Sequence, residues 1–143
     1  MRHAGQVSLP GGVIEGRSRP NTPRFAKRAR EIACATDNLR LLGRLTPIDI
    51  PVSGFQLHPV VATVDTRPTL AAADGEVARI IELRVATLLN PAVLNRRPMQ
   101  RGALVLDVPV FDTHDVVIWG ATAMVLAEFL TLLGWSPDRS RRS

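Results

Sequence analysis

Cysteine and aromatic residues are scarce in this sequence. Its 143 residues include a single cysteine, Cys34, no tyrosine, four phenylalanines and two tryptophans. One thiol excludes an internal disulfide and a four-cysteine zinc site, so we expect a reducing, cytoplasmic setting. The few aromatic rings are dispersed and offer no stacking platform for bases, so nucleic acid is not an expected partner.

Long apolar runs are missing as well. No run reaches the roughly 18 residues that a membrane-spanning helix needs, and no apolar signal core follows the first residues. The longest candidate, residues 116–135, is interrupted by Gly120, Thr122, Glu128 and Thr131. This stretch predicts a buried helix, and we expect no membrane partner.

Positive charge is in excess and unevenly distributed. The net charge is +5, and residues 1–44 carry nine basic side chains against three acidic ones. Such a field favours polyanions, including nucleotides and phosphorylated coenzymes. The arginines and serines of residues 137–143 predict a basic, disordered tail after a single domain over residues 1–136.

Apolar periodicity predicts a mixture of strands and helices. We expect strands over residues 6–9, 39–45, 56–64, 77–83, 103–111 and 116–118, with a loop at 66–74. We expect helices over residues 23–36, 85–89 and 119–133, the first of them capped by Thr22 and started by Pro23. With 45% apolar residues and no internal repeat, this order predicts an α/β or α+β layered domain.

A glycine turn stands before the first predicted helix. Gly11 and Gly12 would let the backbone approach a phosphate closely. In a helix, positions 31, 34 and 35 share one face. Carboxylates at all three would hold Mg²⁺ or Mn²⁺ against a diphosphate, where the metal polarises phosphoryl oxygens and activates water.

Five segments of the chain, in order, resemble those of a known family. Residues 3–12 (HAGQVSLPGG) are similar to a "GQxSFPGG" segment, and residues 30–37 (REIACATD) to the end of a catalytic box, "RE-xx-EE-xG". Both motifs belong to the coenzyme A diphosphatases of the Nudix hydrolase superfamily. The others are residues 53–61 (SGFQLHPVV), 76–77 (EV) and 118–123 (IWGATA). The resemblance spans about residues 2–133 and implies a Nudix-type α/β/α sandwich with a mixed sheet between helices. Family members carry one or two strands before the first segment, so we expect a truncated or misassigned N-terminus.

The resemblance also implies a set of site residues. It assigns catalysis to Glu31 and Arg30, and metal binding to Glu31 and Glu76. Glu15 could replace a missing metal ligand, and its alternative is a loop residue without a metal role. Gly11, Gly12 and Arg2 would contact the phosphates, and for Arg2 a frayed terminus is an equal alternative. The expected cofactor is Mg²⁺ or Mn²⁺, the expected substrate is a small nucleotide or coenzyme, and a homodimer is left open.

The catalytic box departs from the family pattern where the metal would bind. The paired glutamates of the family fall on Cys34 and Ala35, and its glycine falls on Asp37. A thiol is a poor Mg²⁺ ligand and a methyl group is none. For Glu31 the alternative role is an ion pair with a neighbouring basic residue such as Arg28, and for Glu76 it is a surface position beside Arg79.

Three readings of the function therefore stay open. The first is a diphosphatase that cleaves coenzyme A or a related nucleoside diphosphate derivative, with activity reduced by the lost glutamates. The second is an inactive domain of the same fold that binds a nucleotide or polyphosphate through basic side chains. The third is a decayed or truncated product without a stable fold.

Overall fold

The structure is a computed structural model that describes residues 6–11, 33–34, 39–51, 53–70 and 77–137. The chain forms two compact units. Of the described residues, the first unit holds 6–8, 50–51, 53 and 83–137, and the second holds 9–11, 33–34, 39–49, 54–70 and 77–82. The assignment of residues 1–136 to one domain stays a prediction, as does the tail.

The described part of the second unit contains short pairs of strands. Ile50, the last residue of the third strand, belongs to the first unit. The strands are β1 (Ala33–Cys34), β2 (Arg40–Arg44), β3 (Ile48–Ile50), β4 (Phe55–Leu57), β5 (Val60–Thr63) and β6 (Thr69–Leu70). β1 pairs with β6, β2 with β5, and β3 with β4. The β2–β5 register shifts between Leu41 and Gly43, which marks a bulge. Leu45 is buried, and its N–H donates to the carbonyl of Pro59 at 3.0 Å.

Two helices and a three-stranded sheet form the first unit. Its elements are α1 (Val85–Leu89), a 3₁₀ turn (Pro91–Val93), β7 (Leu94–Arg101), β8 (Leu104–Asp112), β9 (Val117–Ile118) and α2 (Gly120–Leu132). β7 and β8 form a long antiparallel hairpin, and β9 pairs with the end of β8 at Phe111 and Asp112. Gly102 turns the hairpin with a φ of 61°, which favours glycine.

The hydrophobic core lies in this first unit. It consists of Leu88, Val93, Phe111, Ile118, Ala123 and Leu130. These residues come from both helices, the 3₁₀ turn, β8 and β9, so α2 packs on the base of the hairpin. Helix α2 closes with the N–H of Trp135 donating to the carbonyl of Leu130 at 3.0 Å, and Gly134 there adopts a φ of 86°. This is the glycine-terminated helix end that satisfies the last carbonyls.

The mixed α+β class predicted from the sequence is confirmed. The predicted strands at 39–45, 103–111 and 116–118 correspond to β2, β8 and β9, and the predicted helices at 85–89 and 119–133 to α1 and α2. The predicted strand at 56–64 is two strands, β4 and β5, separated at His58 and Pro59. Proline has no N–H to donate to a ladder, which accounts for the break at Pro59.

Several predicted elements were wrong. Residues 6–9 and 77–83 contain no strand, and the expected loop at 66–74 contains β6. β3 and β7 were not predicted. The helix expected over residues 23–36 is contradicted at Ala33–Cys34, which pair with Thr69 and Leu70 as β1. The remainder of that helix lies outside the described residues. Among the residues that the structure describes, no helix is long and apolar enough to span a membrane.

Candidate functional site

The segment at residues 6–8 belongs to the first unit and contains no strand. Its residues are exposed except Val7, which is half-buried and packs against the core. The hydroxyl Oγ1 of Thr122 donates a hydrogen bond to the carbonyl oxygen of Val7 at 2.9 Å. Among the described residues, this hydrogen bond and the packing of Val7 attach residues 6–8 to the rest of the first unit.

The start of α2 is built to present Thr122. Ile118 and Ala123 are buried in the core on either side of this turn. Trp119 has extended backbone, with φ −144° and ψ 177°, and Gly120 then takes a φ of 66°. Side-chain-bearing residues rarely adopt that φ, which explains a glycine between strand and helix. The IWGATA segment is thus a sharp strand-to-helix turn that points a hydroxyl at residue 7.

The loop before this turn is also well fixed. The N–H and the hydroxyl of Thr113 each donate to the carbonyl of Val116 at 3.1 Å, and Thr113 is buried. His114 adopts a φ of 69° at the tip of the loop. Its N–H donates to Oδ1 of Asp112 at 3.3 Å. These bonds hold β9 beside the end of β8.

Charges on the β7–β8 hairpin are paired across the strands. Nε of Arg96 lies 2.6 Å from Oδ2 of Asp107, and Nη2 of Arg97 donates to Oδ2 of Asp112. The hydrogen bond from Arg97, followed by that from the His114 N–H, lowers the pKa of Asp112 below its usual value, although burial opposes the shift. Asp112 is therefore ionised at neutral pH, and its carboxylate forms an ion pair within the hairpin.

The segment at residues 54–61 lies in the second unit. Gly54 has a φ of 69° before β4, and Pro59 is buried between β4 and β5. Oδ1 of Asp49 accepts a hydrogen bond from Nε2 of Gln56 at 3.0 Å. In the same unit, Arg67 binds Glu82 through two hydrogen bonds of 3.1 and 2.8 Å. That pair is exposed and raises the pKa of Arg67.

Most predicted site residues lie outside the described residues. These are Arg2, Gly12, Glu15, Arg30, Glu31, Ala35 and Glu76. Gly11 is described and exposed, and a Cβ added there would meet no atom within 4 Å. Cys34 lies in β1, so the helical spacing that would place residue 34 beside residue 31 does not hold at that position. The grouping of Glu31, Glu76 and Glu15 stays a prediction.

A divalent metal such as Mg²⁺ needs several oxygen ligands close together. Within the described parts of the chain, no three His, Cys, Asp or Glu residues come together in a way that could hold a metal ion. At positions 34 and 35 the thiol and the methyl group do not fit Mg²⁺. A metal site in this chain would therefore need at least one ligand from outside the described residues, where the three predicted glutamates lie.

Thr122 is the residue that reasoning from the sequence missed. The IWGATA segment was identified as a resemblance, but no role was given to its threonine. The available signal was the position: a threonine in the first turn of a helix has no helical carbonyl four residues before it, so its hydroxyl is free to bond elsewhere.

Comparison with known proteins finds relatives of this chain but no matching family profile. The chain is similar to proteins named "Uncharacterized Nudix hydrolase NudL" from Salmonella paratyphi B, Salmonella newport and Salmonella heidelberg. Each is 28% identical over 137 residues, which is 95% of this chain and 71% of the relative. This similarity supports a place in the Nudix superfamily. The α+β architecture agrees with a Nudix-like fold.

Proposed function

We propose that the chain is a Nudix-type hydrolase that cleaves the diphosphate of coenzyme A or of a related nucleoside diphosphate derivative. The observation that carries this proposal is similarity to Nudix hydrolases over 95% of the chain, together with five family-like segments in the family's order. Two of these segments meet in the structure, where Thr122 binds Val7. The two residues are 115 positions apart in the sequence, so their contact supports the interpretation that both segments belong to one Nudix-like fold.

The reaction follows from the proposed substrate. Water adds to one phosphorus of the diphosphate, the bridging P–O bond breaks, and the bridging oxygen leaves with the other phosphate. Coenzyme A would give adenosine 3′,5′-bisphosphate and 4′-phosphopantetheine. A bound Mg²⁺ or Mn²⁺ would supply positive charge to neutralise the phosphoryl oxygens.

Each proposed role belongs to a particular side chain or turn. Glu31 would orient the attacking water, and Glu31, Glu76 and Glu15 would supply carboxylates to the metal. Arg30 and Arg2 would offset charge on the phosphates, and the backbone at Gly11 and Gly12 would approach them closely. Because Cys34 and Ala35 replace two carboxylates, we expect slower turnover than a complete box would give.

A second candidate is a catalytically inactive Nudix-fold domain that binds a nucleotide or polyphosphate. It is favoured by Cys34 and Ala35, by the strand conformation at residue 34, and by the basic excess in residues 1–44. Arginine and lysine would then take over the charge that a metal contributes elsewhere.

Calorimetry with coenzyme A, in the presence of Mn²⁺ and again with EDTA, separates the two candidates. If the chain is a hydrolase, the heat of binding or of reaction with coenzyme A should depend on Mn²⁺. The inactive domain requires binding that a chelator leaves unchanged. A folded protein that gives no heat in either buffer contradicts both.

A further inference from the structure

We infer that the outer edge of β8 pairs with the same edge of a second copy of this chain, so that two hairpins join into one antiparallel sheet. β7 pairs with β8 along its whole length, whereas β9 reaches β8 only at Phe111 and Asp112. Among the described residues, no strand pairs with residues 104–110 on the side of β9. We call this stretch the β8 edge. It lies within the first unit, and the inference does not depend on the proposed function.

The backbone groups that face the β8 edge follow from the hydrogen bond to β9. The N–H of Thr113 donates to the carbonyl of Val116 at 3.1 Å. Alternate residues of an antiparallel strand bond to the same side, so the backbone groups of Val105, Asp107 and Pro109 face this side too. Proline has no N–H. The N–H groups of Val105 and Asp107 are therefore the donors that the β8 edge offers to a further strand.

The two outer edges of the hairpin differ in composition. Three arginines and a proline lie in residues 96–101 of β7, and charge and proline are the features that keep an edge strand from pairing. β8 instead carries three consecutive apolar residues, since Leu104, Val105 and Leu106 are 65%, 68% and 40% exposed. An exposed apolar edge strand is a site at which another strand adds. Pairing is therefore opposed at β7 and favoured at β8.

The sequence of β8 is complementary to itself, which identifies a second copy as the partner. In an antiparallel ladder of two β8 strands centred on Leu106, Leu104 of each copy lies opposite Val108 of the other. Residues 104, 106 and 108 share one face of the strand, so the two copies form one apolar stripe. The same ladder places Val105 opposite Asp107, and the N–H of each donates to the carbonyl of the other. Such an isologous contact closes as a dimer.

Charge also favours this register. A ladder centred on Asp107 would place two carboxylates directly opposite each other, which is destabilising, and would set Val105 against Pro109. With the centre at Leu106, each Asp107 faces Val105, and its Oδ2 stays paired with Nε of Arg96 at 2.6 Å. Nη2 of Arg96 also donates to the Asp107 carbonyl at 2.6 Å. A carbonyl oxygen has two lone pairs, so it can accept a second hydrogen bond from the partner strand.

Sedimentation equilibrium of the full chain tests the dimer. We expect wild-type protein to dimerise as its concentration rises. Leu106→Lys should raise the dimer Kd at least about tenfold, because it sets two ammonium groups opposite each other at the centre of the ladder. Leu132→Lys changes a leucine of α2 that is 71% exposed, and it should leave the Kd unchanged. Circular dichroism reports whether each variant is folded. A monomeric wild type, or equal Kd values for wild type and folded Leu106→Lys, would overturn the inference.

Amide hydrogen exchange locates the interface and identifies what covers it. Exchange at the N–H groups of Val105 and Asp107 should slow as the wild-type concentration rises, and it should stay fast in Leu106→Lys at every concentration. Val105→Pro removes a donor that faces the β8 edge without removing a bond to β7, so it should also weaken the dimer. Slow exchange that does not depend on concentration would show that the chain covers the β8 edge itself, and a dimer that leaves these two amides unprotected would place the interface elsewhere. Either result contradicts the proposed pairing.

Discussion

The rings of Phe111 and Trp135 lie with their centroids 5.9 Å apart and their planes tilted by 44°. This contact joins the end of β8 to the turn that terminates α2. Aromatic pairs at such distances and tilts are favourable beyond the area that they bury. Phe111, which pairs with Ile118 of β9, therefore also contacts the chain just after α2 ends.

Two leucines of α2 give a matched test of the core. Leu130 is 0% exposed and belongs to the core, whereas Leu132 is 71% exposed. Leu130→Ala should lower the free energy of unfolding by about 2–5 kcal/mol, because it removes buried carbons and leaves a cavity. Leu132→Ala should change it by no more than about 0.5 kcal/mol. Urea denaturation followed by circular dichroism measures both, and equal losses would contradict the placement of α2.

Gly120 provides a backbone test of the helix start. Its φ of 66° is unfavourable for any residue with a Cβ, although an added Cβ would meet no atom within 4 Å. Gly120→Ala should therefore cost about 1–2 kcal/mol through backbone strain alone. Gly43→Ala, which also meets nothing and has no positive φ, is the control and should be near neutral. Thermal melts of both variants check this prediction, which fails if the two shift the midpoint alike.

The pH dependence of the hairpin follows from Asp112. Its pKa in the folded protein is lowered, chiefly by the hydrogen bond from Arg97. A lowered folded pKa means that the stabilisation is present above the unfolded value of about 3.9 and is lost as the pH falls through the folded value. Arg97→Gln should raise the pKa of Asp112 towards its usual value and reduce stability at neutral pH more than at pH 3. Arg96→Gln, whose partner is Asp107, should leave it unchanged. An NMR titration of the Asp112 carboxyl carbon in the three proteins decides the matter, and an unaltered pKa in Arg97→Gln would contradict the pairing.

The sequence predicted elements well where the pattern was local. Helix α2 and strand β8 are apolar and bounded by glycine or charged turns, and both were located to within a residue or two. Strand β7 was missed because its residues 96–98 are Arg, Arg and Pro, which argue against a strand. It forms because β8 supplies a partner along its whole length.

Long-range pairing also limited prediction of the site. Ala33 and Cys34 pair with Thr69 and Leu70. The sequence of residues 23–36 does not indicate this pairing, so its capping residues and apolar spacing predicted a helix. The bond between Thr122 and Val7 was equally out of reach, since it joins positions 115 apart. Motif resemblance identified both of its segments without indicating that they touch. The roles of Glu31, Glu76 and Glu15 stay predictions.

Restoring the missing carboxylates tests the interpretation of the catalytic box. The double variant Cys34→Glu, Ala35→Glu should bind Mn²⁺ at least about tenfold more tightly, since added carboxylates are the ligands that such ions prefer. It should also hydrolyse coenzyme A faster than wild type. Manganese titration followed by electron paramagnetic resonance measures the affinity, and Cys34→Gln, Ala35→Gln supplies the uncharged control. A folded variant that gains neither property would show that residues 34 and 35 do not face a metal.

Product analysis tests the central claim most directly. Wild-type protein and Glu31→Gln are incubated at high concentration with coenzyme A and Mn²⁺, and products are separated by chromatography and identified by mass. The proposed function predicts equal amounts of adenosine 3′,5′-bisphosphate and 4′-phosphopantetheine from wild type, formation that EDTA abolishes, and a large loss in Glu31→Gln. Folded wild-type protein that releases neither product, or releases them as fast after Glu31→Gln, would contradict it.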